Sequence, residues 1–404
     1  MNVALITIGN ELLYGFTVNT NAAWIGKELT KIGAHITIQV AIKDNIHDII
    51  DMLEYLSNTD VEAIITTGGL GPTPDDITPT AYYQYFGANQ EFDEKYWQYL
   101  EKRFKKRGIK IAAINRNQAI KPSNGDMIIN PVGSARGLHF KKDNKQYFAL
   151  PGVPVEMKAM MTDSVIGSLK EEIKGDLFIR TLRTTGIPES TLAEQISDIT
   201  TREVEVAFLP QLIGVDLRLI SRNKSAIIQH ESKLKNALGN AIFGKDKDKI
   251  EQKVGELLSE KKYTLSLAES CTGGLICSRL TDVPGSSDYL LGGVVSYSNA
   301  AKINLIGVDN GTLDKYGAVS PETATEMVLG VCDLFKTDVG ISVTGVAGPG
   351  GGSDEKPVGL VYVGVCIKDN LTIKEFQFGL NRRGNKLLSS QAALNLLRME
   401  LLNE

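Results

Sequence analysis

The sequence predicts an α/β protein: two three-layer α/β domains with parallel-rich sheets, joined by a small α+β domain. Three observations carry this prediction. The chain has 404 residues, which at roughly 150 residues per domain suits two or three. Continuous apolar runs alternate with helical stretches near both ends, the pattern of parallel strands linked by right-handed crossovers. Glycine is in surplus, 39 residues in all and sixteen of them between residues 261 and 360. Glycine weakens element interiors, so the surplus belongs in turns and ligand loops.

The first domain, residues 1–170, opens with the strand VALITI (3–8), then a helix over about 21–32 closed by Gly33 and the strand HITIQVAI (35–42). A helix over about 46–57 leads to the strand VEAIITT (61–67) and the loop GGLGPTPDD. In open sheets of this kind ligands bind beyond the carboxyl ends of the strands, where the loops from Gly9 and Gly68 begin. Between residues 175 and 244 the pattern changes to the strands FIRTLRTTGI and EVAFLPQLIGVDLRLISR around a short helix (191–199). A third domain, 250–404, starts with an amphipathic helix and the strand YTLSLAES; DNGTLDKYG (309–317) reads as a surface loop.

Composition sets limits on function. With 42% hydrophobic and 23% charged residues, the chain is neither disordered, collagen-like nor coiled coil. No run of 18 apolar residues occurs, and the start MNVALITIGNELL has no basic region or cleavage site, which predicts a cytoplasmic protein without a membrane partner. Cys271, Cys277, Cys332 and Cys366 form no C-x-x-C pair and read as reduced thiols. A net charge of −4 gives no general attraction to nucleic acid, so direct binding is not expected. The one basic cluster, Lys102 to Lys110, reads as a solvated helix face.

Two stretches carry chemistry. In ITTGGLGPTPDDITPTA (65–81), Gly68, Gly69 and Gly71 let backbone N–H groups approach an anion. Thr78 reads as an N-cap with Pro79 at the first helical position, aiming a helix N-terminus at the loop. Asp75 and Asp76 would repel a phosphate unless a divalent cation lay between, so the loop is either a solvated turn or a metal-assisted phosphate site. In LSLAESCTGGLICSRL (265–280), Ser270 sits at a strand-to-helix junction, either as an N-cap or as a nucleophile whose oxyanion rests on the N–H groups of Cys271 to Gly274. The four histidines, His35, His47, His139 and His230, all precede this domain, which excludes a Ser-His-Asp triad within it. Lys302, in the first turn of the helix that VVSYSNAAK enters, carries the wrong charge for a helix N-terminus; it is either an exposed helical lysine or, partly buried with a depressed pKa, a base. Cys271 is the rival nucleophile.

The motifs TTGGLGPTPDDITPTA, GNELLYGFTVNTNAAWIGKEL (9–29) and ALPGVPVEMKAMM (149–161), with AESCTGG, VVSYSNAAK and VTGVAGPGG, resemble those of the competence/damage-inducible CinA family over essentially the whole chain. The first motif also resembles the molybdopterin-binding fold. The resemblance implies a bifunctional hydrolase of pyridine-nucleotide salvage: an amino-terminal ADP-ribose pyrophosphatase using a divalent metal, and a carboxyl-terminal amidase acting on nicotinamide mononucleotide without a cofactor. Taken across by motif, Gly68, Gly69, Gly71, Asp75, Asp76 and Thr78 form the pyrophosphate and metal site, with Glu11 and Asn21 as neighbours. Glu11 equally fits a first-turn helix carboxylate. Ser270 is the nucleophile, Lys302 its base, and Tyr297 and Thr344 orient them. Gly273 and Gly274 belong to the oxyanion turn, Gly348 and Gly350 to a nucleotide loop, Arg382 holds phosphate, and Ser287 adds a hydroxyl. Arg136, where family members usually carry proline, would add a cation near the first ligand. Two other readings remain: a non-catalytic pterin or nucleotide module at the amino terminus, and a regulatory partner in competence or DNA damage. A homo-oligomer, most simply a dimer, is expected.

Overall fold

The computed structural model describes residues 1–404 except Lys174, Asp176 and Thr200. The chain divides into two compact units, Met1–Phe178 and Ile179–Glu404.

The first unit contains β1 (Asn2–Ile8), α1 (Asn10–Leu13), α2 (Thr20–Lys31), β2 (His35–Ile42), α3 (Ile46–Ser57), β3 (Ala63–Thr67) and α4 (Thr78–Phe86). It continues with β4 (Gln90–Phe92), α5 (Glu94–Lys106), β5 (Ile120–Pro122), β6 (Asp126–Ile128), β7 (Gly137–Lys142), β8 (Lys145–Leu150), α6 (Pro154–Met160) and α7 (Ile166–Glu172). The six-stranded sheet has the order β2-β1-β3-β8-β7-β6. β1 runs parallel to β2 and β3, and β3 parallel to β8; β7 and β6 close it antiparallel.

Period-two alternation makes this sheet the middle of three layers. Val3 and Leu5 face Ile25 and Leu29 of α2 and Met157 and Met160 of α6. Ala4, Ile6 and Ile8 face Ile49 and Leu53 of α3 and Tyr82 of α4. Side-chain caps fix where the helices start: Asn19 accepts from Ala22 N–H at 3.0 Å and Asn45 from His47 N–H at 2.8 Å. Because the strands are parallel, the loops after Ile8, Ile42, Thr67 and Leu150 share one edge.

The second unit opens with β9 (Phe178–Thr184), α8 (Glu189–Ile196), β10 (Glu205–Gln211), β11 (Gly214–Ser221), α9 (Lys224–Leu238) and β12 (Ile242–Lys245), whose strands form a sheet of order β10-β11-β9-β12. Then follow α10 (Ile250–Lys261), β13 (Leu265–Glu269), α11 (Leu275–Thr281), β14 (Leu290–Val295), α12 (Asn299–Ile306), α13 (Asn310–Tyr316) and α14 (Pro321–Phe335). β15 (Val339–Gly345), β16 (Leu360–Ile367), β17 (Asn370–Gln377) and α15 (Arg382–Asn403) complete it. This sheet, β14-β13-β15-β16-β17, is parallel in its first three strands and antiparallel in the last two. α10, α11 and α15 cover one face through Leu258, Ile276 and Leu397. On the other, Ile306 of α12, Leu313 of α13 and Met327 of α14 pack together around Ala268.

One segment departs from the sequence reading. Residues 309–317 are not a surface loop, because α13 forms there. Asp309 accepts from Thr312 N–H at 3.2 Å, Glu326 binds both Asp309 N–H and the Thr312 hydroxyl, and Leu313 is buried. Tertiary contact thus stabilises a short helix that its own glycine would disfavour.

Candidate active sites

In the first unit, β3 delivers Gly68 at φ 113°, where a Cβ would stand 2.3 Å from the Ile8 carbonyl, so only glycine fits. The loop's polar groups are largely committed to the loop itself. Gly68 N–H donates to Leu150 O at 2.9 Å. Thr78 is not the N-cap: it is the first residue of α4, after Ile77, and makes no cap. Its hydroxyl instead donates to Gly68 O at 2.8 Å and its N–H to Gly69 O at 3.1 Å. Asp76 accepts from the N–H and hydroxyl of Thr73 and lies against Gly71. Asp75 is exposed. Glu11 shares this edge but folds back over Gly9, its Oε1 2.5 Å from where a Gly9 Cβ would be. Asn21 donates to Gly152 O at 2.7 Å, while its Oδ1 is buried with no partner among the described residues.

No three His, Cys, Asp or Glu side chains among the described residues gather to hold a metal ion. Asp75, Asp76 and Glu11 therefore do not form a ready-made cage. Magnesium-type ions often take only one or two carboxylates and complete their shell with water and substrate phosphate, and exposed Asp75 fits that role.

Arg136 supplies no free cation to this site. It donates to Asp93 at 2.7 Å and stacks over the Tyr96 ring at 3.8 Å, with a nearly buried side chain. Arg103, from the basic cluster, likewise donates to the Gly133 and Val132 carbonyls. A cavity of about 510 Å³ lined by Lys141, Lys142, Lys145 and Glu172 lies at the amino end of β8, on the opposite edge.

The second unit assembles a tighter group at the carboxyl edge of β13, β14 and β15. Ser270 follows β13, with its N–H fixed on Val343 O at 2.9 Å. It is not a helix cap. α11 begins only at Leu275, and the buried Glu269 carboxylate accepts from Ile276 N–H at 3.1 Å and Cys277 N–H at 2.8 Å. That arrangement frees the Ser270 hydroxyl, which meets Lys302 Nζ at 3.0 Å. Lys302 is only 1% exposed and also donates to Ser296 O at 2.7 Å. Ser298 caps α12 through Ala301 N–H, leaving Lys302 one turn in and pointing down to the sheet edge.

Burial lowers the Lys302 pKa from the usual 10.5, and the neighbouring Cys271 opposes this only in part. Burial pushes the Cys271 thiol up to about 12 despite Lys302 and Lys386 nearby. A thiol held protonated is a poor nucleophile, so the electrostatics disfavour the rival to Ser270.

Tyr297, 60% exposed, accepts from Arg382 at 2.8 Å, and Arg382 also donates to Gly348 O at 2.7 Å. The structure thus joins three of the sequence-predicted residues. Gly350 lies on the same loop, with open space around it. Thr344 is near Ser270 along β15, but its hydroxyl is occupied by Ala318 O at 2.5 Å, so it anchors the 317–320 turn. Gly273 N–H is bonded back to Ser270 O at 3.1 Å, and Gly274 N-caps α11. Ser287 is not brought to the site. It precedes β14, whereas Ser270 lies at the carboxyl end of the parallel strand β13, about 20 Å away at 3.3 Å per residue.

The sequence reading also missed Glu269 as the cap, Lys386 beside Gly273, and two fully buried hydroxyls without partners among the described residues, Thr272 and Ser296. The pattern AES held Glu269 in plain view; the others had no local signal.

Three family models match the chain: "Probable molybdopterin binding domain" over residues 4–171, "Damage-inducible protein CinA KH domain" over 179–244 and "CinA C-terminal domain" over 247–401. A "Putative competence-damage inducible protein" of Caldicellulosiruptor bescii is 38% identical over 411 residues, covering 100% of both chains. One of the same name from Clostridium kluyveri is 39% identical, again over 100% of each chain. The chain belongs to the CinA family. Among solved CinA-type structures, competence/damage inducible protein CihA from Agrobacterium tumefaciens is 38% identical over 38% of this chain and 94% of its own, with a TM-score of 0.37. The resemblance noted from the motifs is therefore membership of the CinA family. No helix among the described residues is long and apolar enough to cross a membrane.

Proposed function

We propose that the second unit hydrolyses the carboxamide of nicotinamide mononucleotide to nicotinate mononucleotide and ammonia. The observation that carries this reading is the buried 3.0 Å contact between Lys302 Nζ and Ser270 Oγ. Neutral Lys302 takes the Ser270 proton as Oγ attacks the amide carbon. The N–H groups of Cys271 and Thr272, in the turn outside α11, are the candidate donors to the oxyanion. Lys302 then gives its proton to the departing nitrogen, ammonia leaves and an ester to Ser270 remains. Water, deprotonated by Lys302, cleaves the ester to release the carboxylate and restore the Ser270 hydroxyl.

Ammonia release by Ser270→Ala, Lys302→Ala and Cys271→Ala variants tests these roles. The first two should lose at least about 100-fold in kcat, while Cys271→Ala keeps activity. Full activity in either of the first two overturns the assignment.

For the first unit we propose binding of a nucleotide pyrophosphate such as ADP-ribose at the 68–76 loop, with a divalent ion held by Asp75 and the substrate. Bound there, such an ion would neutralise the pyrophosphate charge. The commitment of Asp76 and Thr78 to the loop favours a second reading, a binding module without turnover. ADP-ribose hydrolysis that chelator abolishes supports the enzyme; binding without turnover under every divalent metal supports the module.

A further inference from the structure

We propose that Lys386 binds the 5′-phosphate of the pyridine nucleotide, making it the residue by which the amidase site selects a nucleotide over its nucleoside. The proposal rests on the amidase reading above. Lys386 lies one turn beyond Arg382 on α15, and its Nζ is 3.5 Å from the point where a Gly273 Cβ would stand. The ammonium therefore closes over the turn that starts at Ser270, and the missing side chain of Gly273 leaves room beside it.

Like Arg382, Lys386 has no ion pair among the described residues; what sets it apart is that its ammonium also lacks the neutral acceptors Arg382 has. It is half-buried and has neither an ion pair nor a hydrogen bond among the described residues. The adjacent acid, Glu269, turns its carboxylate toward Ile276 and Cys277 N–H. Arg382 has acceptors already, in Gly348 O and the Tyr297 hydroxyl. A partly desolvated cation is costly unless paired, so the missing anion is one the ligand brings. Ser270 takes the carboxamide end of that ligand. Its phosphate supplies the compact dianion that a lysine ammonium, as a point charge with three donors, binds well.

The experiment compares ammonia release from nicotinamide mononucleotide and from nicotinamide riboside by the full chain, as wild type, Lys386→Gln and Lys386→Arg. Loss of one charge-assisted contact should raise the nucleotide KM about tenfold or more in Lys386→Gln, with riboside kcat/KM unchanged and partial recovery in Lys386→Arg. The riboside activity also reports that the variant folds. Equal losses on both substrates, or an unchanged nucleotide KM, overturn the proposal. Should wild type release no ammonia from either compound, the amidase reading fails by itself. Calorimetric binding of the same two compounds to wild type and Lys386→Gln then still decides the phosphate contact: only the nucleotide should bind more weakly to the variant.

Discussion

Glu269→Gln is the substitution that most directly tests how the Ser270 turn is held. In the wild type, the buried carboxylate accepts from Ile276 N–H at 3.1 Å and Cys277 N–H at 2.8 Å. Hydrogen bonds to charged groups contribute about 1.5–3 kcal/mol each, and an orphaned buried donor costs about 1–3 kcal/mol. Glutamine keeps one acceptor oxygen but turns an NH2 group toward the second N–H. The net loss is about 3 kcal/mol, or on the order of 100-fold in local opening. Hydrogen exchange followed over residues 270–281 reads this locally. The amides of Ile276 and Cys277 should lose about that factor of protection in Glu269→Gln. In Ser270→Ala they should change little, because the one partner of that hydroxyl among the described residues is Lys302. The opposite ranking, with Ser270→Ala exposing the amides and Glu269→Gln leaving them protected, would refute the assignment of Glu269 as the cap.

Two further outcomes follow from charges held in place by the fold. With neutral Lys302 as the proposed base and its pKa lowered by burial, amide hydrolysis should rise with pH along a limb whose midpoint lies below 10.5. Activity is lost as pH falls through the folded value; a flat kcat/KM profile, or a midpoint at or above 10.5, contradicts the mechanism. Arg136→Met removes the 2.7 Å pair with Asp93 and should cost about 2–3 kcal/mol in thermal or urea unfolding at pH 7. Burial raises the Asp93 pKa, but the Tyr96 N–H and Arg136 outweigh it and hold the net value below 3.8. The stabilisation is thus present above about 3.8 and fades as pH falls through the lower folded value. A gap between the two proteins that stayed constant into that acid range would assign Arg136 to packing alone.

The parts of the molecule legible in the sequence are those set by short-range pattern. VALITI reads as a strand from its continuous apolar run, and such a run suits a strand covered on both faces: Val3 and Leu5 lie in one core cluster, Ala4 and Ile6 in the other. Lys302 was legible for a chemical reason: a cation near a helix start in a domain without histidine needs an explanation. The errors arise where a distant partner decides. Of the two readings left open for Ser270, cap or nucleophile, the cap fails because the acceptor is the preceding glutamate reaching seven and eight residues ahead. Ser287 is close to β14 in sequence, but a parallel strand puts its two ends on opposite edges. Thr78 has the residue type of a cap, and its hydroxyl instead closes the glycine loop on which it was expected to act. Lys386 comes to the site only because β16 and β17 run antiparallel and return the chain to the edge where β15 ends.

The two sites differ in how much of their polarity the protein has already committed. Around Gly68, the Thr78 hydroxyl and the Asp76 carboxylate satisfy partners within their own loop, so a ligand there must either meet Asp75 and free backbone or displace bonds already made. Around Ser270 the committed groups lie one layer out. Arg279 binds Glu251, Ser390 and Gln391, tying α11 to α10 and α15, while Gln391 donates to Thr185 at 3.1 Å and Arg398 donates to Asn240 O. The helices that frame the Ser270 turn are therefore pinned by contacts remote from the reacting hydroxyl, and α15 is pinned in turn to the sheet of β9–β12. Lys386 and the hydroxyls of Thr272 and Ser296, which have no partner among the described residues, are left inside that frame beside the Ser270–Lys302 pair. A site with its supports satisfied and its inner groups unsatisfied can bind substrate without first rearranging, which is why the second unit carries the stronger case for catalysis.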